Sequence, residues 1–298
     1  IREINMKILE WVNSAKNSDD IKFRKAIHLI LLAISKNSDL SSMLIIKGGI
    51  VMSLVHKGKR YTSDLDATSV GAIDKLTTEK LEKYLTRYLK GAEINIGYGL
   101  GFNIHSIKTQ PKNYMEAKYP AYKVKIGYAN LNNDKEMERL KNKQSSSIIE
   151  IDISFNEPII VEEDTVSIQL AEDRSILCYS LEQIIAEKYR SLLQQRSRNR
   201  HRRQDVYDIY YLLTMYDEYL SKDEVKKMVL NKLKKCSEDK GIDAYLHKEG
   251  ILDEEIKRMS LHDFKTLELE IDINNIDPEN MFDRISNYFF SLPWWLVT

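Results

Sequence analysis

Two aspartates separated by one residue, Asp64 and Asp66, constrain this chain more than any other feature. They begin a segment, residues 64–69, whose composition predicts a β-strand, and side chains at positions i and i+2 of a strand project from the same face. Two carboxylates held together require a cation between them, and Mg²⁺ prefers such hard oxygen ligands. The spacing therefore permits a magnesium site, although an Asp-x-Asp pattern alone is more often two solvated carboxylates at a strand end.

The residues around this pair give it a context. An apolar run at residues 43–46 stops at Gly48 and Gly49, and residues 50–56 have the pattern of a helix that begins straight after them. Glycines at such a point let backbone amides approach a phosphate closely. Asp152 lies between two isoleucines in a second alternating segment, residues 147–155, and is a third candidate carboxylate. Two-metal phosphoryl transfer requires this set of groups.

Periodicity along the rest of the chain predicts the fold class. β-branched and aromatic residues alternate through the first half, whereas apolar residues recur at helical spacing after Ser180, which with Gln183 resembles a capping box. We therefore predict an α+β fold, with a mixed-sheet α/β domain at residues 1–175 and a helical domain at residues 176–298. The other predicted helices are 4–15, 20–36, 75–89, 181–195, 205–220, 222–235 and 278–290, and the other predicted strands are 94–107, 121–131 and 165–170.

Composition excludes several classes of protein. A chain of 298 residues with 43% hydrophobic residues is long enough to bury a core. Its two cysteines, Cys178 and Cys236, do not make a disulfide framework, and no histidine or cysteine cluster accompanies them, which argues against structural zinc. The longest apolar stretch, residues 288–297, is about half the length of a bilayer span. We also expect no signal peptide, because the first residues lack its apolar core. We expect a cytoplasmic protein without membrane association.

The formal net charge of zero conceals two opposite segments. Residues 237–283 contain 14 acidic and 5 basic residues, whereas residues 188–203 contain no acidic residue. The basic segment is either a solvated helix face or a surface that contacts phosphates. Its cations are Lys188, Arg190, Arg196, Arg198, Arg200, Arg202 and Arg203.

Four blocks of sequence resemble those of a known family. They are Lys-Gly-Gly at 47–49 with Arg-Tyr-Thr-Ser-Asp-Leu-Asp at 60–66, Glu-Ile-Asp-Ile-Ser at 150–154, the lysine-bearing helix 180–190, and Arg-Gln-Asp-Val-Tyr-Asp at 203–208. In this order they are similar to the motifs of the AbiEii/AbiGii toxin family, which includes the MenT-type toxins, within the DNA polymerase β-type nucleotidyltransferase superfamily. The family's mixed-sheet nucleotidyltransferase domain, followed by a helical domain, is the fold that the resemblance implies.

The resemblance also implies roles for individual residues. Asp64 and Asp66 would bind Mg²⁺ with the triphosphate of an NTP, and Asp152 would complete the metal site or act as base toward the attacking hydroxyl. Lys188 would hold nucleotide phosphates, while Asp205 would orient a basic residue, bind metal or cap its helix. The nucleotide-binding set implied by the resemblance is Lys47, Gly48, Gly49, Arg60, Thr62, Ser63, Lys188 and Arg190.

Thr62 occupies a position where members of this family often have a serine that an antitoxin kinase modifies, and Ser63 lies beside it. The implied function is that of a toxin from a toxin–antitoxin or abortive-infection system, which transfers a nucleoside monophosphate from an NTP such as ATP or CTP to RNA. The implied acceptor is a tRNA 3′ end, so that translation stops, and a cognate antitoxin is the implied partner. The RNA-binding set would be Arg196, Arg198, Arg200, Arg202 and Arg203.

Two alternatives remain open from the sequence. The same chemistry is compatible with a protein or small-molecule hydroxyl as acceptor, because the carboxylate pattern does not identify the acceptor. A regulator that binds NTP or RNA without catalysis would also use this fold, although retention of three aspartates and Lys188 argues against it.

Overall fold

The computed structural model describes residues 2–4, 8–58, 60–271 and 277–297. The chain forms two compact units, the first made of Ile1–Val55 with Thr62–Tyr179 and the second of His56–Tyr61 with Ser180–Thr298. The first unit contains all the strands of the described residues, and the second contains helices. This arrangement confirms the predicted α+β class.

One mixed sheet of eight strands organises the described part of the first unit, in the order β1-β7-β8-β2-β3-β6-β5-β4. β3 lies near its middle, antiparallel to β2 and parallel to β6, and β6 in turn is antiparallel to β5. The strands are β1 (Arg2–Ile4), β2 (Leu44–Lys47), β3 (Asp64–Ser69), β4 (Leu100–Gln110), β5 (Ala121–Asn130), β6 (Ile148–Phe155), β7 (Thr165–Ala171) and β8 (Arg174–Tyr179).

Alternation along β6 separates the two faces of this sheet. Ile149, Ile151 and Ile153 are buried, whereas the residues between them are polar and half-buried. Because successive side chains of a strand point to opposite faces, one face packs on the apolar core and the other presents carboxylates. The core is completed by α2, which is buried on nearly every side between residues 26 and 34 and contacts α5 and β8. The helices of this unit are α1 (Ile8–Asn13), α2 (Ser18–Lys36), α3 (Ser38–Met43), α4 (Gly48–Leu54), α5 (Thr78–Ile96), α6 (Asp134–Lys141) and α7 (Val161–Asp164).

The second unit is built around α8. The hydroxyl of Ser180 accepts a hydrogen bond from the backbone N–H of Gln183 and thereby caps its first turn, as the sequence indicates. Both α10 and α12 contact α8, and α14 contacts α10. The helices of this unit are α8 (Leu181–Leu193), α9 (Gln195–Arg198), α10 (Arg203–Met215), α11 (Asp217–Leu220), α12 (Asp223–Ser237), α13 (Glu254–Leu261) and α14 (Pro278–Phe290).

The structure differs from the predicted elements at several points. Residues 94–96 were predicted to begin a strand but form the last turn of α5, which ends where Gly97 adopts φ +72°. A glycine in the left-handed region is a common helix terminus, and the apolar residues before it favoured a strand only on local composition. β8 was not predicted, and it extends across residue 175 because it pairs with β7 and β2.

The first predicted helix, residues 4–15, is also wrong at its start. Arg2–Ile4 form β1 and the helix covers Ile8–Asn13, while residues 5–7 lie outside the described residues. None of the helices in the described ranges is both long and apolar enough to cross a bilayer.

Candidate active site

The carboxylates of β3 and β6 lie next to one another on the polar face of the sheet. Asp66 is directly opposite Asp152 in the parallel register, and Asp64 is opposite Glu150. Neighbouring strands are separated by about 4.8 Å, so that opposite residues on one face are in contact range. The β-strand prediction for residues 64–69 is therefore confirmed, and the pairing brings Asp152 beside Asp66.

Gly48 is required by this arrangement. Its φ is +73°, and a Cβ atom built on it would lie 2.1 Å from Oδ2 of Asp66. No side chain fits at that distance, so the backbone at the start of α4 approaches the carboxylate in a way that only glycine allows.

Gly49 fills a similar role toward the loop before β3. A Cβ atom on Gly49 would lie 2.5 Å from Oγ1 of Thr62. That hydroxyl is buried and donates a hydrogen bond of 2.7 Å to Oδ1 of Asp64. Ser63, by contrast, is exposed. The glycine pair thus lets α4 approach both Asp66 and the threonine that orients Asp64, whereas the predicted contact of its amides with a phosphate stays a prediction.

Three lysines flank the carboxylates on the same face. Lys47 lies opposite Asp66 on β2, and its ammonium donates a hydrogen bond of 3.0 Å to Oγ of Ser154. On β5, Lys123 and Lys125 lie opposite Asp152 and Glu150. The ammonium of Lys123 is 3.5 Å from Oδ2 of Asp152, and that of Lys125 is 2.5 Å from Oε1 of Glu150.

The donors on this face suit a hard cation. Oδ1 of Asp152 is buried and has no hydrogen-bond partner among the described residues, which leaves an acceptor oxygen beside Asp66. Carboxylate oxygens are the ligands that Mg²⁺ prefers. Within the described ranges, no group of three histidine, cysteine, aspartate or glutamate side chains is already arranged to hold a metal ion.

Lys188 is the centre of a buried ionic cluster in the second unit. Its ammonium donates to Oδ1 of Asp205 at 2.8 Å and to Oδ2 of Asp208 at 2.7 Å. Burial lowers the pKa of Lys188, but the two carboxylates outweigh it and hold that pKa above its ordinary value. Lys188 is therefore a permanent cation with two of its three N–H donors engaged. The contact that the orienting role of Asp205 requires is present.

Asp208 also binds Arg60, which comes from the segment His56–Tyr61. The Nε and Nη2 atoms of Arg60 donate to the two oxygens of Asp208 at 3.3 and 3.1 Å. Burial raises the pKa of Asp208, but Lys188 and Arg60 together hold it below its ordinary value. The sequence motif at 203–208 already includes Asp208, one turn after Asp205 on the same helix face, and indicates a structural role for it outside the predicted site residues.

Other predicted residues of the second unit are also engaged. Arg190 donates to Glu187 at 2.8 Å and to Gln194 at 2.7 Å, so its guanidinium is bound to its own helix. Arg203 is half-buried, with Nη2 4.0 Å from Oε1 of Glu270, a member of the acidic segment. The acidic segment thus partly neutralises the arginine run.

The five arginines predicted to bind RNA divide into two sets. Arg202 and Arg203 are half-buried, and Nη1 of Arg202 lies 3.9 Å from Oδ2 of Asp205. The others project into solvent around the short helix α9, and this set is Arg196, Arg198 and Arg200. An interaction with RNA is a prediction for both sets, and the exposed set is the better placed to test it.

Solved structures similar to this chain include proteins from two bacteria. JHP933 from Helicobacter pylori aligns with a TM-score of 0.53 at 15% identity, and 92% of each chain is covered. A second H. pylori structure, titled a putative nucleotidyltransferase, aligns at 0.52 with 16% identity, covering 92% of this chain and 94% of that one. MenT4, a nucleotidyltransferase toxin from Mycobacterium tuberculosis, scores 0.45 at 12% identity, with 96% and 97% covered.

The two H. pylori structures are under 25% identical to this chain, so they show a common fold and nothing beyond it. A search of curated proteins found no match. The family model described as nucleotidyl transferase AbiEii toxin, type IV toxin–antitoxin system, matches residues 30–285 and so includes every predicted site residue. This chain therefore belongs to the AbiEii family of nucleotidyltransferase toxins, and its predicted resemblance is confirmed.

Proposed function

We propose that this toxin transfers a nucleoside monophosphate from an NTP to the 3′ end of an RNA, with a tRNA as the substrate and Mg²⁺ as the cofactor. The observation that carries the proposal is the register that sets Asp66 against Asp152, with glycine backbone packed on the Asp66 carboxylate. A nucleotidyltransferase needs carboxylates of this kind on a rigid strand, because its catalysis consists mainly of positioning and charge stabilisation.

Asp64, Asp66 and Asp152 would hold the metal in this proposal. Bound Mg²⁺ would supply positive charge against the triphosphate and the leaving pyrophosphate. Thr62 holds the Asp64 carboxylate in one orientation through its hydrogen bond. Oδ1 of Asp152, buried and without a hydrogen-bond partner in the described parts of the chain, is available as a third ligand or as an acceptor for a proton.

The reaction balances with these groups alone. The 3′ oxygen of the acceptor forms a bond to the α-phosphorus, and the bond from that phosphorus to the oxygen bridging to the β-phosphate breaks. The 3′ hydroxyl gives up its proton to a carboxylate or to water, and pyrophosphate leaves. Lys188 is proposed to act on nucleotide phosphates through its remaining N–H donor, with Asp205 and Asp208 as the residues that position its ammonium.

The decisive experiment incubates the purified protein with Mg²⁺, total tRNA and each radiolabelled NTP in turn. We expect label on tRNA with one or two of the four NTPs, and loss of that label in Asp66→Asn and after chelation by EDTA. Asp74→Asn is the matched control, because it removes an exposed carboxylate of the same unit away from the sheet face. If both Asp66→Asn and Asp64→Ala still transferred label from NTP to tRNA, the proposal would be refuted.

The exposed arginines distinguish RNA from a protein or small-molecule acceptor. Neutralising Arg196, Arg198 and Arg200 to glutamine removes three phosphate-binding cations, and the slope of log affinity against log salt should fall in magnitude by about 2 to 3. Modification of a small-molecule hydroxyl should be unaffected by the same change. An unchanged salt dependence with tRNA would favour the other acceptors.

A regulator without catalysis is the remaining alternative. It would bind NTP in equilibrium dialysis and give no labelled product with tRNA, with other RNA pools or with protein. The family implies a cognate antitoxin, and co-expression with that antitoxin should relieve the toxicity of the wild-type chain.

A further inference from the structure

Each carboxylate of β6 on the polar face has its own lysine on β5. Lys123 lies opposite Asp152 and Lys125 lies opposite Glu150. The two lysine side chains are 40% and 44% exposed, and their carboxylates are 46% and 47% exposed. The two pairs are thus matched in strand, pairing and exposure. They differ in their position along the strands and in the distance between ammonium and carboxylate, 3.5 Å for Lys123 and 2.5 Å for Lys125.

The row that contains Asp152 is electrically balanced. Across β2, β3, β6 and β5 it reads Lys47, Asp66, Asp152 and Lys123, so two cations face two carboxylates. A divalent cation that binds to both aspartates therefore enters a row whose negative charge is already neutralised. Like charges at this range repel, so the metal binds more tightly when one ammonium leaves.

The two lysines of this row are held differently. Lys47 donates to Oγ of Ser154 at 3.0 Å, and its ammonium lies 5.6 Å from the ring centroid of Tyr179. Neither partner is a proposed metal ligand, so Lys47 keeps both contacts when the carboxylates bind a cation. Lys123 has one described partner, Oδ2 of Asp152 at 3.5 Å, and a side chain long enough to reach water.

We infer that Lys123 is the resident counter-ion of Asp152, which occupies this carboxylate in the absence of metal and is displaced into solvent when a divalent cation binds. Lys123 then competes with the metal for Asp152 and thereby sets the affinity of the site for the metal. The inference rests on the proposed metal site and adds to it a competitor supplied by the chain itself.

Amine labelling tests the displacement directly. The full chain is acetylated briefly with N-hydroxysuccinimide acetate, with and without saturating Mn²⁺, and the rate at each lysine is read by peptide mass spectrometry. Release of an ion pair worth up to about 1 kcal/mol should raise the rate at Lys123 about threefold to fivefold. The rate at Lys125 should not change. Equal rates at Lys123 with and without metal, or an equal rise at Lys125, would overturn the inference.

Metal affinity provides a second measurement that does not depend on activity. Removing the competitor in Lys123→Met should lower the Kd for Mn²⁺ about threefold to fivefold by calorimetry. Lys123→Arg should stay near the wild type because it keeps the cation, and Lys125→Met is the matched control. Weaker or unchanged Mn²⁺ binding by Lys123→Met would refute the displacement.

The outcomes separate this inference from the proposed function. If metal releases Lys123 but no nucleotide is transferred to any RNA, the inference stands and the proposed RNA acceptor is refuted. If nucleotide is transferred but the acetylation rate of Lys123 does not depend on metal, the inference is refuted and the proposed function stands. Failure of all these proteins, wild type included, to bind Mn²⁺ would overturn both.

Discussion

Replacement of Gly48 by alanine tests whether the close approach of backbone to carboxylate matters for catalysis. The residue adopts φ +73°, which costs an L-residue about 1 to 2 kcal/mol. The new Cβ would also meet Oδ2 of Asp66 at 2.1 Å, whereas an ordinary contact begins near 3.4 Å. Asp66 must therefore move by roughly 1 Å, and a displacement of that size lowers the rate by about 100-fold.

Two other glycines of the same unit separate these contributions. Gly97 has φ +72° but open space around its Cβ position, so Gly97→Ala carries the backbone cost without the collision. Gly91 lies within α5 with open space, so Gly91→Ala should stabilise the unit by about 0.5 to 1 kcal/mol. Urea unfolding measures the free energy of each variant, and labelled NTP with tRNA measures kcat/KM.

The expected pattern is specific. Gly97→Ala should lose about 1 kcal/mol of stability and keep its activity, whereas Gly48→Ala should lose at least as much stability and most of its activity. If Gly48→Ala transferred nucleotide at the wild-type rate, Asp66 would not need its present position. If Gly97→Ala lost activity as well, the loss would reflect the fold and not the site.

Three further changes probe the clusters described above. Asp208→Asn removes one buried counter-charge of Lys188 and should lower the free energy of unfolding, measured in urea, by about 3 to 5 kcal/mol. A loss below about 1 kcal/mol would mean that the ion pairs of this cluster do not stabilise the fold. Burial lowers the pKa of His56 to about 4, so the unfolded chain binds its proton first as the pH falls. His56 alone should lower the stability by about 3 kcal/mol between pH 6.5 and pH 4. His56→Gln should reduce the decline by that amount and leave the part due to His28, whose pKa burial also lowers to about 4. Thr62→Val removes the hydrogen bond to Asp64 and should lower kcat/KM about threefold to tenfold, while Thr62→Ser should retain it.

Local pattern predicted the strands that bear the carboxylates. β3 and β6 alternate between apolar and polar residues, and such alternation identifies a half-buried strand without knowledge of its neighbours. The order of the motifs then predicted that Asp152 belongs with Asp64 and Asp66, and the register confirms that β6 is the neighbour of β3. Ser180 as a helix cap was predictable for the same reason, because capping involves residues within one turn of the helix, here Ser180 and Gln183.

Pairings between distant segments were not predictable. The partner of Lys123 is known only once β5 and β6 are aligned, because a shift of one residue would send every side chain to the other face. The guanidinium of Arg60 binds Asp208, 148 residues further along the chain, and local pattern did not indicate this contact. Its role toward a nucleotide stays a prediction. Gly48 and Gly49 were recognised as important, but the side chains that require them become visible only in the folded chain.

The segment His56–Tyr61 has a practical consequence for anyone who would dissect this protein. In the sequence it lies between two parts of the first unit, but in the structure it belongs to the second unit. There Arg60 binds Asp208, and the backbone N–H of Tyr61 donates to the carbonyl of Glu270. A clone that starts at Ser180 would lack both contacts and leave Asp208 with fewer buried partners. No contiguous stretch of the gene encodes the second unit, so its stability and chemistry have to be studied by point substitution in the whole chain.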